Sequence, residues 1–253
     1  TLVVKPAEIT PLSLIRVGEL ALEAGVPPGV LNIVTGKGRV VGDAMVAHPF
    51  IDKITFTGSP GVGKGIMEGA ATNFKKITLE LGGKSANIIF NDADLESAVR
   101  GAASGIFFNA GQVCSAGSRI LAQRSVYYDV IDRLIERAKK IRIGDTASED
   151  TIMGPLVSQR QFNAVMDYIK VGKEEGAALA YGGERVGDKG FFIQPTLFTQ
   201  VKNEMRISQE EIFGPVLTVY PYEDEKVDEA VKLCDETSPY GLTGSVFAQD
   251  RLA

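Results

Sequence analysis

The chain has 253 residues, enough for one large domain or two smaller ones. Its hydrophobic and charged fractions are ordinary for a globular protein, and a net charge of -5 with no Lys/Arg-rich run argues against a nucleic-acid partner. No apolar stretch is long enough to span a bilayer, none reads as a signal peptide, and two cysteines, Cys114 and Cys234, make no disulfide framework, so a reducing compartment, the cytoplasm, is expected.

The first run, "TLVVKP", reads as a strand already under way at Thr1, and the last, "VFAQDRLA", follows another strand pattern. The sequence is therefore expected to be a segment of a longer polypeptide. Thr10-Pro11 predicts a helix start by the cap-then-proline rule, and Gly25 its end. "NIVTG" (32–36) and "KITFTG" (53–58) read as strands ending at glycine, with a helix over "RVVGDAMVAHP" between them, closed by Pro49. "KKITLELGG" (75–83) and "ANIIF" (86–90) are further β-rich runs.

Asp94 or Asp92 caps a helix with Leu95, Ala98, Val99, Ala102 and Ile106 on one face. After the strand "RILAQ", Val126, Val130, Leu134, Ile135, Ala138 and Ile141 recur at helical spacing. Ser158 caps the next helix, which Gly176 ends, and strands return at 191–201, 215–222 and 243–249. Alternating β and α elements imply an α/β protein with a mostly parallel sheet. The candidate boundary is the turn "LGGKS" (81–85), giving domains over 1–81 and 82–253.

"FTGSPGVGKG" (56–65) satisfies the first part of the triphosphatase loop G-x-x-x-x-G-K-[ST] through Gly58, Gly63 and Lys64. Gly65, however, stands where that motif needs a hydroxyl for Mg²⁺. Cys114, in "FFNAGQVCSAGSR", is surrounded by small residues that let a substrate approach the backbone closely. It reads either as a nucleophile, which must act as thiolate, or as a small buried hydrophobe. Cys234 lies on the apolar side of a helix and reads as core.

Glu80 ends an apolar strand just before two glycines, where open α/β sheets place ligands. Partly desolvated there, it would suit a general base; alternatively it pairs with a lysine such as Lys84. His48 is the only histidine and reads as structural, so no zinc site is expected and acid–base work falls to carboxylates or lysines. Lys5 and Glu8, in "VVKPAE", follow a strand and could take ribose hydroxyls. Glu211 and Phe213, in "QEEIFGPV", combine a hydroxyl acceptor with a ring beside a Gly-Pro turn.

Together, "KPAE" (5–8), "GVPPGVLNIVTG" (25–36), "FTGS" (56–59), "LELGGK" (79–84), "GQVCSAGSR" (111–119) and "EEIFGPV" (210–216) resemble, in order and close to register, the NAD(P)-dependent aldehyde dehydrogenase superfamily. The resemblance implies the C-terminal part of a variant Rossmann dinucleotide-binding domain over 1–81, followed by an α/β catalytic domain over 82–253. By the same resemblance Cys114 matches the nucleophile that forms a thiohemiacetal and then a thioester, and Glu80 the base that activates the hydrolytic water. Lys5 and Glu8 match the adenosine-ribose contacts, Gly58 and Ser59 the pyrophosphate turn, and Glu211 and Phe213 the nicotinamide-ribose end. No metal is implied.

Glu8 favours NAD over NADP, because a carboxylate accepts from a 2′-hydroxyl and repels a 2′-phosphate. Glu80 favours hydrolysis to the acid over transfer to coenzyme A, since acyl-transferring relatives commonly lack it. The expected substrate is a small-molecule aldehyde, and the expected assembly a homodimer or homotetramer of the full-length protein. The family's oxyanion-hole asparagine precedes the KPAE motif and its oligomerisation strand is also outside this sequence, so the backbone N–H of Cys114 is the oxyanion donor here. The other readings are a non-catalytic nucleotide-binding or structural relative and, more remotely, a triphosphatase.

Overall fold

A computed structural model describes residues 1–250, which divide into two compact units, one over Thr1–Leu81 and one beginning at Gly82. In the first unit, β1 (Leu2–Val4) pairs in parallel with β2 (Leu31–Ile33), joined through α1 (Leu12–Glu23). The chain then passes through a π-helical turn at Gly38–Gly42 and α2 (Asp43–Ala47) into β3 (Lys53–Thr57). That strand pairs in parallel with β4 (Lys76–Glu80) across α3 (Pro60–Ala71).

Gly63 lets α3 lie close on β4, because a Cβ there would run into the side chain of Leu81 at 2.8 Å. Lys75 closes the base of this unit by donating to the Ile51 carbonyl at 2.7 Å and to that of His48. α1 starts one residue later than the Thr10-Pro11 signal suggests: Pro11 occupies the capping position, and the Thr10 N–H closes a turn onto Ala7 instead. Gly25 ends α1 at φ +88°, a conformation open to glycine at no steric cost.

The second unit is built on one six-stranded sheet in the order β10-β5-β6-β9-β8-β7. Its strands are β5 (Ala86–Ile89), β6 (Arg119–Gln123), β7 (Ala178–Tyr181), β8 (Thr196–Thr199), β9 (Val216–Tyr222) and β10 (Gly244–Phe247). All neighbours are parallel except β7, an edge strand antiparallel to β8. β5 and β6 bury every residue, as strands covered on both faces must.

The covering helices are α4 (Leu95–Phe107), α5 (Tyr127–Lys139), α6 (Gln159–Glu174) and α8 (Val227–Glu236), with one short turn, α7 (Arg206–Gln209). Asp94 caps α4 by accepting from the Glu96 N–H, and Ser158 caps α6 by accepting from Gln161. Val99, Ile106, Leu134, Val165 and Ile169 go fully inward from these helices to meet Ile89, Ile120, Leu217 and Val219. The strand expected over 191–201 shortens to β8, because Pro195 breaks the run and Ile193 instead bridges Arg185. β7 escapes the sequence pattern: it is four residues long and half alanine.

Candidate active site

Beyond α4 the backbone turns left-handed at three successive residues, Asn109 (φ 50°), Ala110 (φ 53°) and Gly111 (φ 71°). The two non-glycine positions cost about 1–2 kcal/mol each, a strain held by surrounding contacts. Asn109 and Gln112 exchange side chain-to-carbonyl hydrogen bonds at 3.1 and 3.2 Å, and Gln112 Oε1 accepts from the Val157 N–H at 2.8 Å. A Cβ on Gly111 would overlap the Gly214 carbonyl, so this position has to be glycine on two counts.

The strained run delivers Cys114 into a turn closed by the Ala116 N–H on the Val113 carbonyl at 3.0 Å. Cys114 is half-buried and free. Facing it are Gly82 and Gly83: a Cβ on Gly83 would overlap the Cys114 carbonyl, and one on Gly82 would overlap the Glu211 carboxylate. The Gly83 N–H donates to Glu211 Oε1 at 2.9 Å. One glycine pair therefore touches both the cysteine turn and the glutamate: Gly83 holds one carboxylate oxygen of Glu211, and the other packs against Gly82. Burial pushes the Glu211 carboxyl up, against the opposing pull of the Gly83 N–H and the Lys84 charge.

The segment carrying Glu211 and Phe213 is anchored to α6. Glu210 receives two hydrogen bonds from Arg206, at 2.9 and 2.8 Å, and one from the Tyr168 hydroxyl at 2.7 Å. The Arg206 bonds hold the Glu210 carboxyl below the usual range, while burial and the neighbouring Glu210 push Tyr168 up to about 12. Gln161 donates to the carbonyls of both Ile212 (3.0 Å) and Phe213 (2.9 Å). This pins Phe213 at φ 55°, unusual for an aromatic residue, with its ring exposed.

Beneath the glycine pair lies Arg119, 3% exposed, whose guanidinium donates to the carbonyls of Lys84 (2.8 Å), Leu233 (2.9 Å) and Cys234 (2.9 Å). It closes the C-terminal end of α8, where a cation complements the helix dipole. Cys234 packs half-buried against the core, as its helical position suggests, and burial pushes its thiol up.

In the first unit the expected residues gather at C-terminal strand ends. Lys5 and Glu8 follow β1, with the Lys5 ammonium on the Pro6 carbonyl at 2.5 Å and Glu8 exposed. Gly58 and Ser59 follow β3, and the Gly58 N–H donates to the Glu80 carbonyl at 3.0 Å, bringing these three residues together. Gly58 is glycine for a local reason: a Cβ would strike the ring of Phe56. Glu80 is exposed, not partly desolvated as expected, and its carboxylate has no ion-pair partner among the described residues. Nor does it pair with Lys84, which is buried.

These residues fit a dinucleotide. Ser59 caps α3 without using its side chain, and the first-turn N–H groups before Gly63 are not taken by a capping group. That leaves a helix N-terminus and a glycine turn for phosphate oxygens. Lys64 turns to Glu68 at 4.0 Å along the exposed face of α3, away from the role a triphosphatase lysine plays. Sequence reasoning missed Gln161, Arg206 and Arg119, whose roles depend on contacts 35 to 115 residues distant or on a helix register. Among the described residues no group of three or more His, Cys, Asp or Glu could hold a metal ion.

A parallel α/β fold with glycine turns and carboxylates at its strand ends, and a small-residue cysteine loop beside one of them, is aldehyde dehydrogenase-like. The chain belongs to the aldehyde dehydrogenase family, whose model matches residues 1–253. It is 52% identical over 251 residues to an aldehyde dehydrogenase of Aspergillus niger, covering 99% of this chain and 50% of that one. The aldehyde dehydrogenase of Bacillus cereus, solved as an NAD+ complex, superposes with a TM-score of 0.97 at 49% identity, over 100% of this chain and 51% of that one. The betaine aldehyde dehydrogenase of Staphylococcus aureus, solved in complex with NAD+, gives 0.94 at 49% identity, over 99% and 50%. The chain thus spans about half the length of the curated relatives it matches.

Proposed function

We propose that the protein oxidises an aldehyde to a carboxylic acid with NAD. The observation that carries the reading is the Gly82–Gly83 pair, which touches both the Cys114 carbonyl and the Glu211 carboxylate. A nucleophile and a ribose acceptor thus share one rigid support. The Cys114 thiolate attacks the aldehyde carbon, and the backbone N–H of Cys114 donates to the oxygen that gains charge. NAD, when bound, supplies the hydride acceptor. Loss of hydride from the thiohemiacetal leaves a thioester on Cys114. Glu80, exposed and without an ion-pair partner among the described residues, takes a proton from water, which then hydrolyses the thioester and frees the acid and the thiol.

In this reading the unit over 1–81 is the dinucleotide-binding part, and the unit from 82 the catalytic part. Lys5 and Glu8 bind the adenosine ribose, Gly58 and Ser59 the pyrophosphate, and Glu211 and Phe213 the nicotinamide ribose. Glu8 favours NAD over NADP by repelling a 2′-phosphate. Bacillus and Staphylococcus relatives solved with NAD+ support the choice of cofactor. A cytoplasmic homodimer or homotetramer is the corresponding proposal for the full-length protein, supported in location by a rat relative named as cytosolic, 48% identical.

The test is intact mass after mixing Glu80→Gln with an aldehyde and NAD. An acyl adduct on Cys114, absent from the Glu80→Gln, Cys114→Ala double variant, supports the assignment. Rapid turnover in Glu80→Gln with no adduct removes Glu80 from the role of base.

A further inference from the structure

The most deeply buried amine of the second unit is left idle by the proposed chemistry. Lys84 directly follows the Gly82–Gly83 pair, is 1% exposed, and its Nζ has no hydrogen-bond partner among the described residues. An apolar side chain would fill this volume without the cost of desolvating an amine. Its main chain is held in place by Arg119, whose Nε donates to the Lys84 carbonyl at 2.8 Å. The Lys84 main chain is therefore fixed one residue from the N–H that holds Glu211, and the Glu211 charge acts on its buried amine.

Three charged groups act on it: the Arg119 guanidinium from β6, and the carboxylates of Glu210 and Glu211 from the segment after α7. Glu210 is engaged by Arg206 and Tyr168, so Glu211 is the carboxylate with capacity to spare. Tyr220 and Cys234 act on Arg119, and Tyr240 on Glu211; burial pushes all three up, so they stay neutral near pH 7. Burial, with Arg119 adding to it, holds Lys84 down to about 7. The lysine charge therefore changes over a range in which its tyrosine and cysteine neighbours do not.

We infer that Lys84 is a specificity-determining residue: the charge of this buried amine, directly after the glycine pair in the chain, sets how the Glu211 end of the site discriminates the oxidised dinucleotide, with a cationic nicotinamide, from the reduced one, with a neutral nicotinamide. The inference rests on the proposed role of Glu211 at the nicotinamide ribose. A protonated Lys84 opposes a second cation beside Glu211 and leaves a neutral ring unaffected. As pH rises and Lys84 loses its proton, the oxidised form gains affinity relative to the reduced form. A unit charge at roughly 10 Å in an effective dielectric near 20 changes that ratio about tenfold.

The test is binding, not turnover, in a Cys114→Ala background that removes the reactive thiol. Kd is measured for NADH by fluorescence and for NAD+ by competition, from pH 6 to 9, with Lys84 intact and with Lys84→Met. The ratio of the NAD+ Kd to the NADH Kd falls about tenfold with rising pH when Lys84 is present, and stays flat and low in Lys84→Met. A ratio that is flat in both proteins, or that falls equally in both, overturns the inference. Lys84→Arg, always charged, is the second variant should methionine prevent folding: a flat ratio at the acidic value supports the inference, and one that still falls overturns it. If Glu211→Ala leaves both affinities unchanged, the assignment of Glu211 itself fails and the inference with it.

Discussion

The backbone N–H of Gly83 donates to Oε1 of Glu211 at 2.9 Å, joining residues 128 apart in sequence. The same glycine lies so close to the Cys114 carbonyl that no side chain fits. Gly83→Ala is therefore expected to force apart the cysteine turn and the strand start at β5, at a cost of about 1–3 kcal/mol. Chemical denaturation measures that loss, and nucleotide binding should weaken alongside it as Glu211 shifts. An alanine variant with wild-type stability and wild-type affinity would contradict the close packing.

Gln161 holds two consecutive carbonyls, those of Ile212 and Phe213, with one amide. Gln161→Leu keeps the volume but leaves both carbonyls without their donor, a loss of about 1–3 kcal/mol. The left-handed conformation of Phe213 then has less to maintain it. The expected signature is a raised KM for NAD with a smaller change in kcat. Equal loss of kcat and kcat/KM would instead place the effect in the chemical step.

Lys84 also makes stability depend on pH. Its folded pKa of about 7 lies below the ordinary lysine value, so between about pH 7 and 10 the unfolded chain binds the proton and the folded chain does not. The lysine's contribution is thus unfavourable in full below pH 7 and is relieved as pH rises toward 10. Lys84→Met should be more stable than wild type by a few kcal/mol near pH 6, and the gap should narrow by pH 9. Thermal melts of both proteins across that range read the difference directly. A gap that does not change with pH would mean that the amine is not the titrating group.

Much of this molecule was legible in the sequence because its signals are local. Asp94 and Ser158 cap helices as their side chains suggest, Gly25 and Gly176 end helices at positive φ, and the apolar spacing of Val130, Leu134 and Ala138 sets the buried face of α5. What was not legible depends on partners far along the chain. Nothing local marks Gln161 as a clamp for residue 213, or Arg119 as the cap of a helix ending at residue 236. The exposure of Glu80 was missed for a different reason: an apolar strand ending at a carboxylate predicts the strand, not what covers its end. β7 was missed because alanine carries little strand preference and its pairing partner lies beyond a glycine-rich loop.

If Cys114 carries aldehyde oxidation as proposed, aldehyde-dependent NADH formation by the protein at its native length depends on its thiol. A broad aldehyde panel is run with wild type and Cys114→Ala side by side, after NAD binding has been verified for both. NADH formation by wild type that is lost in Cys114→Ala, with NAD affinity retained, is the predicted result. NADH formation that persists without the thiol, or wild-type protein that binds NAD yet oxidises no aldehyde, would contradict the account.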